Sequence, residues 1–357
     1  MLLNKINQTL KKGVLNNKKY TLKPIDCPIK LNQNESPYDI PENIKQKIID
    51  KLKKNKWNIY PDFTPENLYK KTAKYFKVKK ENILIGNGSN EMIFTIFAST
   101  LETGKRVIIP EPTFTVYKLI ASNLNADIRT VKLNNDLSFN VNSIIKESSF
   151  PGSVTVIVSP NSPTGTYVPY IDLKKIIDAS GGIVIVDEAY IQFGGESVID
   201  LISKYPNLII LRTFSKVFGL AGLRIGIMIA NDKLINEISK VKLPYNLNIF
   251  NLITLDIIFD NIDIVNNNLK MILKGKKYLE DNFSQIKELT VTPSATNFFL
   301  IKVKNSKWLF EKLLKFGILT RDVSNYPMLD NCLRISVGTE EDNNILINSL
   351  RKIYKYK

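Results

Sequence analysis

The sequence predicts an α/β protein: a large domain with a mostly parallel central sheet flanked by helices, joined to a smaller α+β domain. Three observations carry that prediction. From about residue 80, short runs rich in Val and Ile recur without a polar face, the pattern of strands buried on both sides. Helix-length segments separate them, as parallel strands require. Beyond about residue 255 the texture changes to long helical stretches followed by two more strand candidates.

Taken in order, residues 1–40 read as an N-terminal arm that packs with the small domain or a partner subunit, 41–255 as the large domain and 256–357 as the small one. Thr64 and then Pro65 open a helix, with Pro at the first helical position. Strands are expected at 83–85, 106–109, 154–158, 183–186, 208–211 and 225–229. Between the first two, Met92, Ile93, Ile96 and Phe97 recur at helical spacing, with Ser89 as the candidate N-cap. In the small domain, 296–303 and 332–337 are the strand candidates.

Composition removes whole classes of chemistry. The 357 residues are 44% hydrophobic and 24% charged, which is globular rather than disordered or fibrous and allows a large core. There is no histidine, so Ser-His-Asp and Cys-His catalysis and His-ligated metals are excluded, and no metal site is expected. Cys27 and Cys332 are too few for a disulfide framework. The first eleven residues lack the apolar stretch of a secretory signal, and the apolar runs elsewhere are too short to span a bilayer, so a cytoplasmic chain without a membrane partner is expected.

Lys and Arg number 50 against 34 Asp and Glu, a formal charge of +16. The lysines are scattered among Asn and Ile along the whole chain, and the densest early cluster, Lys51, Lys53, Lys54 and Lys56, reads as a solvated helix end. No nucleic-acid partner is therefore expected. Arginine says more because it is rare: Arg106, Arg129, Arg212, Arg224, Arg321, Arg334 and Arg351. Where such a chain keeps Arg, the planar fork that binds carboxylate or phosphate is a reason.

Three segments carry chemistry. Gly86-Asn87-Gly88-Ser89-Asn90-Glu91 follows a strand and opens a helix, an arrangement that seats a phosphate on backbone N–H groups. A dinucleotide fold would want glycine where Glu91 stands, so that reading is the weaker one. Asp187-Glu188-Ala189-Tyr190 ends a buried strand, where open α/β sheets bind ligands. A nucleotide-hydrolysing motor would also need a phosphate-binding Gly-Lys loop, and the sequence around Gly104-Lys105 does not make one. Finally, Arg212-Thr213-Phe214-Ser215-Lys216 runs into a glycine-containing loop ending at Arg224 and Gly226. An amine beside hydroxyls and a fixed cation in such a loop suits condensation with a carbonyl.

Together these segments resemble the fold-type I pyridoxal-phosphate-dependent aminotransferases, and within them the histidinol-phosphate aminotransferase branch. The resemblance spans nearly the whole chain. It also takes in Leu31-Asn32-Gln33-Asn34-Glu35-Ser36-Pro37, Tyr60-Pro61-Asp62, Glu111-Pro112-Thr113-Phe114, Pro160-Asn161-Ser162-Pro163-Thr164-Gly165 and Cys332-Leu333-Arg334-Ile335-Ser336-Val337-Gly338. It implies pyridoxal 5'-phosphate as cofactor, with Lys216 joined to its aldehyde and later moving the substrate proton, Asp187 pairing with the ring nitrogen and Tyr190 bonding the ring hydroxyl oxygen.

The resemblance further implies that Phe114 stacks on the ring, where relatives more often show Tyr. Gly88, Ser89, Asn90, Ser215 and Arg224 would cradle the cofactor's phosphate and Thr213 would also meet the cofactor, with Tyr60 reaching that phosphate from the second subunit of a homodimer. Relatives place Asn just before Pro-Thr-Gly. Here Ser162 stands there and Asn161 precedes it, so either could make that contact. Asn34, Arg321 and Arg334 would meet substrate, Arg334 at the carboxylate and Arg321 at a second anion. The expected reaction is amino transfer between glutamate/2-oxoglutarate and a small phosphorylated amine or ketone, histidinol phosphate first. Transamination of dihydroxyacetone phosphate and decarboxylation of phosphoserine or phosphothreonine are the alternatives.

Overall fold

The structure is a computed structural model that describes residues 2 to 19, 21 and 24 to 355. Two short helices, Leu2–Thr9 and Lys12–Asn16, precede strand β1 (Ile29–Lys30). The main sheet follows: β2 (Ile83–Gly86), β3 (Arg106–Glu111), β4 (Asp127–Lys132), β5 (Val154–Val158), β6 (Ile183–Asp187), β7 (Leu208–Thr213) and β8 (Gly226–Ala230). Their spatial order is β2-β8-β7-β6-β5-β3-β4. Neighbours pair in parallel except at β8, which is antiparallel to both β2 and β7.

The physical basis of the central strands is burial. Every residue of β2, β5, β7 and β8 is buried, and each Val or Ile so removed from water contributes roughly 1.5–3 kcal/mol. Helices cover both faces, so the strands carry no polar side. Strand β4 was not foreseen, because Asp-Ile-Arg-Thr-Val-Lys has no apolar run; as an edge strand it keeps only Val131 buried. The reversal at β8 follows from its connection. Residues 214 to 225 hold one short 3-10 turn, Ala221–Leu223, and no crossover helix, so the chain returns beside β7 like a hairpin.

The smaller layer contains β9 (Thr290–Val291), β10 (Phe298–Lys302), β11 (Ile318–Leu319), β12 (Arg321–Asp322) and β13 (Cys332–Ser336). Four of these form an antiparallel sheet in the order β12-β13-β10-β9, while β11 pairs in parallel with β1 from the arm. Helices Asp263–Phe283, Ser306–Lys315 and Glu340–Tyr354 cover it. The last starts on a capping box: Thr339 Oγ1 accepts from the Asp342 N–H at 3.1 Å, and the Asp342 carboxylate accepts from the Thr339 N–H at 3.0 Å. Asn305 caps Ser306–Lys315 by accepting from the Trp308 N–H.

Several sequence boundaries shift. Helix Ile249–Asp260 runs through residue 255 and packs on helices Glu42–Lys53 and Glu66–Phe76, so the chain leaves the larger layer at the turn beyond Asp260. The arm divides its loyalty. Strand β1 joins the small layer, but Gly13 N–H donates to Asn125 Oδ1 at 2.8 Å and Asn17 Nδ2 to Asn123 Oδ1 at 2.6 Å, which docks the first part of the arm on helix Val116–Asn123 of the large layer. Pro65 is the cap rather than the first residue of its helix, and Gly88, not Ser89, precedes helix Ser89–Thr100. Among the described residues no helix is long and apolar enough to cross a membrane.

Candidate active site

The carboxyl ends of β2, β6 and β7 and the entry into β8 meet at one level of the sheet. Thr213 and Gly86 both lie opposite Gly226, and Asp187 lies opposite Leu211 on β7 and Val158 on β5. Above this edge, and roofed by residues 32 to 35 of the arm, is a cavity of about 380 Å³. Asp187, Tyr190 and Lys216 line it together.

Asp187 is buried at the end of β6. Its Oδ2 accepts from the Tyr117 hydroxyl at 2.7 Å and its Oδ1 from the Ala189 N–H at 3.0 Å. Burial pushes its carboxyl up to about 6, against the pull of those two hydrogen bonds. Next to it, Glu188 faces the other way into an ion pair with Arg212 at 2.5 Å and accepts from Ser197 and the Val198 N–H. That pair ties β6 to β7 directly beneath the cavity.

Lys216 follows Ser215 in the loop after β7. Its Nζ lies 5.4 Å from the centre of the Tyr190 ring and donates to the Gln33 carbonyl at 3.2 Å. The Tyr190 hydroxyl accepts from Asn34 Nδ2 at 2.9 Å, which leaves its own proton free to donate. Burial would raise this phenol, but the charges of Lys216 and Arg334 and the neighbouring Asn34 and Ser162 outweigh it and hold it below its ordinary value.

One end of the cavity is an anion cradle. Gly88 takes φ +82° at the head of helix Ser89–Thr100, a conformation that favours glycine, and a Cβ there would lie 2.8 Å from Arg224 Nη2. Gly226 has no room either: its Cβ would stand 2.2 Å from the Ser89 nitrogen. Backbone, guanidinium and strand thus close on one another without side-chain bulk. Ser89, Asn90, Thr213, Ser215 and Arg224 all line this end, and Arg224 Nη1 donates to Ser215 Oγ at 3.4 Å. Helix-start N–H groups, hydroxyls and a guanidinium form a donor set suited to a phosphate ester.

The opposite end holds two arginines. Arg321 on β12 and Arg334 on β13 are directly opposed in register, and both line the cavity. Like charges so placed repel unless an anion lies between or beside them. Asp322 does not answer Arg321; its carboxylate accepts from the Ser324 N–H. Arg334 Nη1 donates to Ser162 Oγ at 3.2 Å and Nη2 to the Asn32 carbonyl at 2.8 Å.

The alternatives left open by the sequence separate. Ser162 lines the cavity. Asn161 is fully buried behind it, its amide spent on Thr113, Pro112 and Thr164. Phe114 is a wall of the cavity, whereas Tyr60 is outside it, 77% exposed and stacked on Tyr245 at 4.5 Å. Sequence reasoning missed Tyr117, which reads as one more apolar position of a helix, and Tyr326, which lines the cavity beside Arg321. It also missed the arm carbonyls of Asn32 and Gln33, which no side chain announces.

The sequence profile described as aminotransferase class I and II matches residues 27–350. The chain is 41% identical to the histidinol-phosphate aminotransferase of Chlorobaculum tepidum over 330 residues, which cover 92% of this chain and 95% of that protein. In fold it is similar to the histidinol-phosphate aminotransferase from Sinorhizobium meliloti in complex with pyridoxal-5'-phosphate, with a TM-score of 0.85 at 20% identity over 97% of this chain and 98% of that one. It is also similar in fold to the L-threonine-O-3-phosphate decarboxylase from Porphyromonas gingivalis, with a TM-score of 0.78 at 21% identity over 92% and 99% of the two chains.

Proposed function

Since the chain belongs to the class I and II aminotransferase family, whose cofactor is pyridoxal 5'-phosphate, we propose that it moves an amino group between glutamate/2-oxoglutarate and histidinol phosphate/imidazole acetol phosphate. The observation that carries this reading is the single cavity in which an amine and a buried carboxylate stand between a phosphate cradle and a second, doubly cationic anion site. The residues fit the cofactor. Gly88, Ser89, Asn90, Ser215 and Arg224 would hold its phosphate, with Thr213 beside them, Asp187 its ring nitrogen, Tyr190 and Ser162 its ring oxygen, and Phe114 one ring face.

Bound there, the cofactor supplies an aldehyde that condenses with amines and a ring that takes up electrons released at the substrate Cα. The chain's own groups do the rest. Asp187, whose anion the hydrogen bonds from Tyr117 and the Ala189 N–H favour, would keep a proton on the ring nitrogen. Lys216 Nζ would be the base that takes the proton from the substrate Cα and returns it two atoms along, at the carbon that was the aldehyde, a role no histidine can fill here. Arg334, with one arm of its fork on Ser162, receives the substrate carboxylate or, in the other half-reaction, shares the phosphate with Arg321. Asn34 steadies Tyr190 from the arm, and the Gln33 carbonyl orients Lys216 Nζ.

We also infer a homodimer. Trp57, Ile59, Tyr60, Phe63 and Leu243 are each more than half exposed, an apolar surface that a second copy would cover, and Tyr60 would then reach the partner's phosphate cradle.

The test is a substrate screen. Glutamate with imidazole acetol phosphate should give 2-oxoglutarate, and dihydroxyacetone phosphate should react poorly. Release of carbon dioxide from phosphothreonine or phosphoserine without amino transfer would replace the reading by decarboxylation. Borohydride reduction should fix the cofactor on the peptide containing Lys216, and Lys216→Ala should abolish turnover.

A further inference from the structure

Tyr117 belongs to no motif and touches no surface. It is wholly buried in helix Val116–Asn123, and its hydroxyl donates to Asp187 Oδ2 at 2.7 Å. Its ring meets Phe97 at 6.0 Å and Phe114, the cavity wall, edge-on at 6.2 Å. One side chain therefore braces both the wall on which the ring would stack and the carboxylate that would face the ring nitrogen. A phenol so deep and so close to a carboxylate stays protonated: burial first, then the charge of Asp187, raise it well above the ordinary range. It is a permanent donor.

The other groups acting on Asp187 are Glu188 beside it, already matched by Arg212, and Lys216 from the loop after β7. The Ala189 N–H satisfies the other oxygen. Of the hydrogen-bond donors, only the Tyr117 hydroxyl is a side chain that can be removed without moving backbone. A donor to an ionised carboxylate favours the anion and lowers its proton affinity.

We propose that Tyr117 is a positioning residue that sets the proton affinity and aim of Asp187, and thereby keeps the shared proton on the cofactor nitrogen rather than on the carboxylate. The proposal rests on the cofactor reading above. Without the phenol, Asp187 becomes the stronger base, the proton moves toward it, and the ring loses its power to accept electrons.

The experiment compares wild type with Tyr117→Phe, loaded with ¹⁵N-labelled pyridoxal phosphate. The expected result is a ring-nitrogen shift displaced toward neutral pyridine, with kcat down roughly 10- to 100-fold, the range for one hydrogen bond to a charged group. KM for glutamate should change little, since Arg334 lies on another element. Phe97→Leu is the packing control: it should cost stability yet leave the nitrogen shift in place. Fluorotyrosine at position 117, a stronger donor of the same shape, should move the shift the opposite way, and it serves if the Phe variant folds poorly.

An unchanged nitrogen shift in Tyr117→Phe or in the fluorotyrosine protein overturns the proposal. In the cofactor-free protein, the pH at which Asp187 titrates should rise above its starting value of about 6 in Tyr117→Phe. That readout stands even if no cofactor binds, so failure of the cofactor reading and failure of this one are told apart.

Discussion

The buried carboxylate at the end of β6 makes a prediction that needs no substrate. In the cofactor-free protein Asp187 has its pKa raised by burial from 3.8 to about 6. The unfolded chain therefore releases this proton first as pH rises. The group's contribution to stability is full below pH 3.8 and is lost as pH climbs through about 6, a change of about 3 kcal/mol. Denaturant unfolding of the cofactor-free protein against its Asp187→Asn variant should show that difference building up between pH 4 and 7; a flat difference would contradict the burial. At this scale the sequence was most legible where chemistry restricts residue choice. Asp187, Lys216, Arg224, Arg321 and Arg334 stood out because a strand end, a glycine-containing loop or the scarcity of arginine marked them. Tyr117 and the arm carbonyls did not, since an apolar helix position and a main-chain oxygen carry no compositional sign.

Elements were legible in proportion to their burial. Strands β2, β3, β5, β6, β7 and β8 announced themselves by unbroken apolar runs, while β4, with half its residues toward solvent, could be found only by its partner β3. The direction of β8 was implicit in the missing crossover helix between residues 211 and 225, a signal weaker than the strand itself. The contact of β8 with the cradle gives a sharp expectation. A methyl group at Gly226 would meet the Ser89 nitrogen at 2.2 Å and the Gly88 carbonyl carbon at 2.5 Å, neither of which can move without opening the helix start. Gly226→Ala should fold, because strand backbone accepts alanine, but should lose cofactor affinity by about 5- to 150-fold, the scale of 1–3 kcal/mol for overpacking. Equilibrium dialysis would measure it. Binding within twofold of wild type would mean that the cradle is not held by this contact.

At the scale of the molecule, the two layers were foreseen but their seams were not, because helix Ile249–Asp260 is apolar on all sides and its sequence does not say which layer claims it. The exposed Tyr60 supplies the test of assembly. If it serves the partner's site, Lys216→Ala and Tyr60→Ala subunits are each defective, yet a mixed dimer has one site with both residues intact. Random mixing should restore about a quarter of wild-type activity, as two-fold symmetry requires. No recovery on mixing would place Tyr60 in its own chain's chemistry or outside the reaction.

Strand β1 pairs with β11, so Ile29 near the start of the chain faces Ile318 near its end. A ribosome releases the first long before the second. Until Leu319 emerges, residues 32 to 35 lack the strand pairing that fixes their start, and only groups made earlier, Tyr190 and Lys216 among them, can hold them over the hollow. Pinning the start of that roof to β11 is therefore a late event in the making of the chain.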